Sequence, residues 1–387
     1  MTFRRYTLSL LLLVLLVLAS VAAFNRVIDP FWYYRDFEIE GVNAVKPRFA
    51  RFERHVKPAL LQREQPQAII LGSSFSGIGF DPLDAALTDG GKLKGYNFAF
   101  AGTNWDHEQC AFEYAVRNAP IKRVVLGISP GPHPTADCAK VWSGMTVTQA
   151  ELLLSTNALD NAVRTVTEQR RARPSHTREG RYLYARGVPG VAARYKEYFA
   201  RLDYTARCGR ERFVAKVEAK PIEIAPMADW DVSGLRALLK LARERGVTVA
   251  LVVYPRHALA QELELICGDS LTRWRGVETL SRVVTEEAPG GNAALWLFDD
   301  YNALSGERVS ADAGEPVYWQ DPAHFNHEFG ARMMAAMFGG TAGFGVKIAP
   351  GGATAAYAQW LQQRERYLAE TPWFRSDLNA LALHSIK

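Results

Sequence analysis

Two short segments hold the residue types needed for acyl-transfer chemistry. The first, Leu71-Gly72-Ser73-Ser74-Phe75, follows the apolar run that starts at Gln67. A serine there stands where a buried strand turns into its next element, and Gly72 relieves backbone crowding at the turn. The serine's own N–H is suited to an oxyanion site. The second segment, Trp319-Gln-Asp-Pro-Ala-His-Phe-Asn326, sets Asp321 three residues before His324 with a proline between them. Such a loop can hold a carboxylate against one imidazole nitrogen and leave the other for proton transfer. Each segment alone has an ordinary structural reading: a polar loop for Gly-Ser-Ser, a helix-capping loop for Asp-x-x-His. Ser73 and Ser76 compete with Ser74 as nucleophile, and His107, His133 and His257 are alternative bases. His327 falls inside a helix start. Asp299 and Asp300 end a strand without a specific role.

These residues must be positioned by strands alternating with helices. Apolar runs predict strands at Gln67–Gly72, Tyr96–Phe100, Arg123–Ile128, Val247–Tyr254 and Ala293–Phe298. Helices are expected from Asp81-Pro82, over Trp105–Asn118, Ser233–Arg245 and Ser270–Glu287, and after Asn326. Near-continuous apolar strands with helices between them imply a mainly parallel five-stranded sheet covered on both faces, a three-layer α/β/α architecture. Ligands in such folds lie beyond the carboxyl ends of the strands. Arg256 and His257 follow the Val247–Tyr254 strand at that edge and are read as substrate contacts. Residues 132–230 break the alternation and read as a helical insertion with a helix near Thr148–Gln169. The two parts of the α/β domain are therefore 67–131 and 231–340. A helical extension, 341–387, is docked by Trp360, Tyr367 and Trp373.

The order of the motifs, a serine after the first strand and Asp-x-x-His after the last, resembles the SGNH (GDSL-type) hydrolase superfamily. The resemblance implies Ser74 as nucleophile, His324 as base and Asp321 as its orienting carboxylate, with Ser73 where the family has Asp. It also implies Gly102, in Asn97-Phe-Ala-Phe-Ala-Gly102, as a second oxyanion N–H beside that of Ser74. The family's oxyanion asparagine after strand three has no counterpart in Gly127-Ile-Ser129-Pro130, and Asn104 is the substitute considered. The likeness is nearest to membrane-anchored, extracytoplasmic members that acylate teichoic acids and related polysaccharides. It implies a serine esterase or O-acyltransferase acting on an acylated envelope polysaccharide or a small acyl ester, without a metal or cofactor. The competing expectation is an inactive scaffold that binds a glycan or an envelope assembly partner; a plain structural anchor ranks third.

The compartment follows from the N-terminus. Residues Tyr6 to Phe24 form a charge-free apolar run of 19 residues preceded by Arg4 and Arg5. That is close to the roughly 20 residues needed to cross a bilayer. We read 1–24 as an uncleaved single-pass anchor in the cytoplasmic membrane, with the remaining chain on the periplasmic side. The juxtamembrane segment 25–66 carries Lys46, Arg48, Arg51, Arg54 and Lys57 at helical spacing, expected as a solvated basic face, with lipid phosphates or an anionic polymer as the alternative contact. A net charge of +5 over 387 residues, without a dense Lys/Arg tract, argues against nucleic acid as a partner. The four cysteines lack a CxxC pair, which argues against a metal site. Cys138 and Cys208, flanking the insertion, are the expected disulfide; free thiols are the alternative.

Overall fold

The computed structural model describes residues 3–143, 147–183, 190–202, 219–309, 314–340 and 343–382. Strands β1 (Ala68–Leu71), β2 (Gly95–Asn97), β3 (Arg123–Ile128), β4 (Thr248–Val253), β5 (Ala293–Leu297) and β6 (Val346–Ile348) form one sheet in the order β2-β1-β3-β4-β5-β6. The first five are parallel; β6 pairs antiparallel with β5. The expected five-stranded sheet thus has a sixth strand at its edge. Val346-Lys347-Ile348 is too short and too polar to announce itself by pattern.

Alternate strand residues face two separate cores. Ile69, Leu71, Val124, Leu126, Val249, Leu251 and Leu295 face one, and Ile70, Val125 and Val252 face the other. Helices cover both. On the first face lie α2 (Phe49–Glu64), α4 (Trp105–Asn118), α9 (Ser233–Glu244), α11 (Ser270–Glu287) and α13 (Gly352–Glu370). Helix α9 buries Leu235, Leu238, Leu239 and Ala242 at helical spacing and ends at Gly246, whose φ is +66°. On the second face α3 (Ser74–Gly79) meets α12 (His327–Phe338), which contributes Phe329, Met333 and Met334. No helix starts at Asp81-Pro82. The Asp81 and Asp84 carboxylates accept N–H groups of Leu83 and Ala86, two residues on, and hold this stretch in turns.

Helix α1 (Phe3–Ile28) is long and apolar enough to cross a membrane, and its most apolar stretch is not packed against the rest of the chain. Its last turn is tied to the body: Asn25 donates to the Leu153 carbonyl, and Asn43 and Lys46 donate to the carbonyls of Val27 and Ile28. The insertion supplies α5 (Cys138–Val141), α6 (Gln149–Leu154), α7 (Thr156–Glu168) and α8 (Val191–Leu202). The single helix expected near Thr148–Gln169 is split at Ser155, an extended residue whose side chain caps α7 by accepting from the Ala158 N–H. Two further helices, α10 (Ala258–Cys267) and α14 (Phe374–Ala382), complete the set among the described residues. Trp360 and Tyr367 are buried as expected, and the Arg308 guanidinium lies 5.1 Å over the Trp373 ring.

Two expectations are corrected. Cys138 is bonded to Cys110, not to Cys208, because α4 and α5 bring their Cα atoms within 5.2 Å. Cys267 is also disulfide-bonded, and Cys208 lies outside the described residues. The basic stripe of residues 46–57 is solvated only at Arg51, which is exposed. Lys46 and Lys57 are buried, Arg48 pairs with Glu168, and Arg54 reaches backbone carbonyls of the β2–α4 loop. Helix α2 lies between that loop and the insertion, so Arg54 and Lys57 satisfy internal acceptors.

Candidate active site

Strand order reverses at β1, whose neighbours are β2 and β3, and a crevice opens beyond the carboxyl ends of strands at such a point. Ser74 opens α3 there. Gly72, at φ +129°, makes the turn, and its carbonyl accepts the Phe100 N–H at 3.0 Å. A Cβ on Gly72 would stand 2.2 Å from the Tyr254 hydroxyl, and one on Gly127 2.2 Å from the Tyr254 ring. Glycine at the ends of β1 and β3 therefore admits Tyr254 from the end of β4. The Tyr254 hydroxyl accepts the Ser73 N–H at 2.8 Å and lies 3.2 Å from Ser76 Oγ, which orients the start of α3 from beneath.

The second segment folds into a tight loop closed by a bridge between Trp319 and Phe325, both fully buried. The Gln320 N–H donates to the His324 carbonyl at 2.8 Å, and the Asn326 N–H to the Tyr318 carbonyl at 2.7 Å. Inside the loop Asp321 Oδ1 accepts the N–H groups of Ala323 and His324, and Oδ2 lies 2.7 Å from His324 Nδ1. Burial alone would raise the Asp321 carboxyl. The bond to His324, its charge and the two backbone N–H groups outweigh burial and hold the carboxyl below its ordinary value.

The two segments meet. Ser74 Oγ is 2.9 Å from His324 Nε2 across 250 residues of sequence. With Asp321 as acceptor at Nδ1, the hydrogen-bond network assigns the ring proton to Nδ1 and leaves Nε2 to accept from the serine. The His324 side chain keeps 18% of its surface exposed, so the pair is open to solvent. The Phe75 ring, centred 4.5 Å from that of His324, covers one side of it. A hydroxyl, a neutral imidazole and a buried carboxylate in this order can deliver a proton-relayed nucleophile.

The other sequence candidates are placed as follows. Ser73 and Ser76 are buried with their hydroxyls toward Tyr254. Gly102 is exposed with φ +64°, and its N–H has no partner among the described residues. Asn104 is the exposed N-cap of α4, with Oδ1 2.9 Å from His107 Nδ1. Arg256 and His257 are both engaged within the protein. Arg256 is ion-paired with Glu264 and, at 3.8 Å, with Asp299. His257 is buried at the start of α10, its Nε2 on the Glu307 carbonyl and its Nδ1 accepting the Leu259 N–H. His133 is buried edge-on against Trp105, and His327 lies 3.3 Å from Glu328. Asp300 is bonded to Ser305 and Asn302. Among the described residues no group of three or more His, Cys, Asp or Glu is placed to hold a metal.

Sequence reasoning missed Tyr254 and Phe75. An aromatic residue ending the clearest strand, just before a proline, was the signal for the first; nothing in the pattern marked the second. It also passed over Glu108, buried in the first turn of α4, whose carboxyl burial pushes up from 4.5 to about 8. Burial likewise raises Asp300 from 3.8 to about 7 and lowers His133 and His257 from 6.5 to about 4. The raised carboxyls give stability that is complete below their unfolded values and lost as pH rises through the folded ones. The depressed histidines give stability complete above pH 6.5 and lost as pH falls through about 4. Above pH 6.5 only the carboxyls of this set still titrate. The melting temperature should therefore fall between pH 6.5 and 8, and Glu108→Gln should flatten that slope in thermal denaturation at the two pH values.

No family model matches the chain, and none of the curated proteins matches it.

Proposed function

We propose that the chain is a membrane-tethered serine esterase or O-acyltransferase of SGNH type. The observation that carries this reading is the hydrogen-bonded sequence Ser74–His324–Asp321, assembled at the strand-order reversal from residues 250 apart. Ser74 Oγ attacks an acyl carbonyl while its proton passes to His324 Nε2, and Asp321 stabilises the imidazolium. The tetrahedral oxyanion is held by the N–H groups of Ser74 and Gly102. Collapse breaks the ester bond, and Nε2 returns the proton to the departing alcohol oxygen, leaving an acyl-serine. Water or a sugar hydroxyl then attacks that ester, gives its proton to Nε2, and releases acid or acylated sugar while Ser74 regains its proton. An acylated cell-envelope polysaccharide as substrate, and the periplasmic side of the cytoplasmic membrane as location, are supported by the apolar α1 and by the family resemblance.

Labelling tests the nucleophile. A fluorophosphonate should modify the full-length protein at Ser74, found by peptide mapping, and block hydrolysis of p-nitrophenyl acetate. Modification elsewhere, or hydrolysis that survives full labelling, overturns the assignment. A second reading is favoured by one feature: Ser129-Pro130 follows β3 where the superfamily has an oxyanion asparagine. In that reading the fold is an inactive scaffold for a glycan or an assembly partner, and Ser74 resists the label while glycan binding is measurable.

A further inference from the structure

We propose that Glu53 and Arg54 of α2 are positioning residues for the oxyanion site, through the turn formed by residues 99–102; the inference rests on the acyl-transfer reading of Ser74. The β1–β2 ladder continues past the strands. The Phe98 N–H donates to the Ile70 carbonyl at 2.8 Å and the Phe100 N–H to the Gly72 carbonyl at 3.0 Å. From this advance we infer that residues 101 and 102 come out beside Ser74.

Helix α2 grips this turn from the other side. Glu53 Oε1 accepts the Ala101 N–H at 2.9 Å. Arg54 Nη2 donates to the carbonyls of Ala101 at 2.6 Å and Gly102 at 3.1 Å. Lys57 Nζ donates to the Ala99 carbonyl at 2.5 Å and lies 3.3 Å from Glu53 Oε2. His176, from the insertion, closes the cluster with Nε2 3.0 Å from the same Glu53 oxygen. Lys57 and His176 are buried, and burial opposed by Lys57 and His176 leaves the Glu53 carboxyl depressed to about 2.

A buried ionic cluster is weak evidence for stability, since well-packed apolar residues often do as well. What apolar residues cannot do is bond the carbonyls of residues 99, 101 and 102 and the N–H of residue 101. With these satisfied, the Gly102 N–H is exposed and has no acceptor among the described residues. An oxyanion donor works only when held in place before the reaction, and a misplacement of about 1 Å can cost about 10² in rate.

The test uses the full-length protein in detergent, with kcat for p-nitrophenyl acetate expressed per fluorophosphonate-titrated site, so that misfolded molecules are not counted. Arg54 is only partly buried, and Arg54→Ala should fold. We expect kcat per site to fall by about 10-fold to 100-fold with KM within about twofold, and Arg54→Lys to recover part of the loss. Glu53→Gln, which keeps an acceptor for Ala101 but removes the charge, should show the same split. A kcat per titrated site within twofold of wild type in both Arg54→Ala and Glu53→Gln overturns the inference while leaving Ser74 as nucleophile. A wild-type protein that neither labels at Ser74 nor hydrolyses the ester overturns both.

Discussion

Asp321→Asn should lower Ser74-dependent ester hydrolysis about 10⁴-fold with little change in the fold. Asp321 Oδ1 is fixed by the N–H groups of Ala323 and His324, bonds that an asparagine carbonyl oxygen can keep. The new NH₂ group then occupies the Oδ2 position, 2.7 Å from His324 Nδ1. An amide donor there requires an unprotonated Nδ1, so the ring proton moves to Nε2 and faces Ser74 Oγ. The imidazole is retained in place but in the wrong tautomer to accept. Ser74→Ala should remove at least as much activity, and the double variant should be no worse than the more damaging single one, because residues acting as one unit are not additive. Steady-state kinetics on the three variants, with circular dichroism as the folding control, checks this. A loss below about tenfold for Asp321→Asn would mean that the carboxylate does not orient the base.

Gly330→Ala should damage both stability and rate, although alanine is the better helix former by about 1 kcal/mol. A Cβ on Gly330 in α12 would stand 1.8 Å from the Gly79 carbonyl oxygen and 2.8 Å from its carbon. Both are backbone atoms of α3, so relief requires the helices to part by more than an ångström. Gly79 itself is pressed on the Phe325 ring, where a Cβ would stand 2.0 Å away. Ser74 opens α3, and His324 lies three residues before α12, so this close approach sets the distance across which the proton must pass. Overpacking of this kind costs about 1–3 kcal/mol, and a displacement of about 1 Å in the reacting pair costs about 10² in rate. Chemical denaturation and kcat per titrated site measure the two effects separately. A variant more stable than wild type, as helix propensity alone requires, would refute the contact.

Strands β1, β3 and β4 were legible because they are buried on both faces and so read as unbroken apolar runs; β5 is buried on one face and half-buried on the other, yet apolar throughout. The edge strand β6 needs only three residues and one buried face, which leaves no pattern to detect. Helix α3 was hidden by Gly77 and Gly79, both poor helix formers; the Phe325 ring packed against Gly79 requires the second. The cations of α2 were read as solvated because spacing reports which residues share a face, not whether carbonyls lie opposite that face. Ser74, Asp321 and His324 could be found since each sits in a short segment with local chemical logic. Tyr254 could not, because its place depends on glycines in two other strands. The cysteine pairing likewise depends on how α4 meets α5, a tertiary fact.

The insertion is latched to the loop that carries the acid. From α8, Arg194 donates through Nη2 to Glu315 at 2.8 Å and through Nε, at 2.9 Å, to the carbonyl of Gln320, the residue before Asp321. Moving α8 away would pull on the residue next to Asp321, so the place of the insertion and the shape of the Asp321–His324 loop are fixed together.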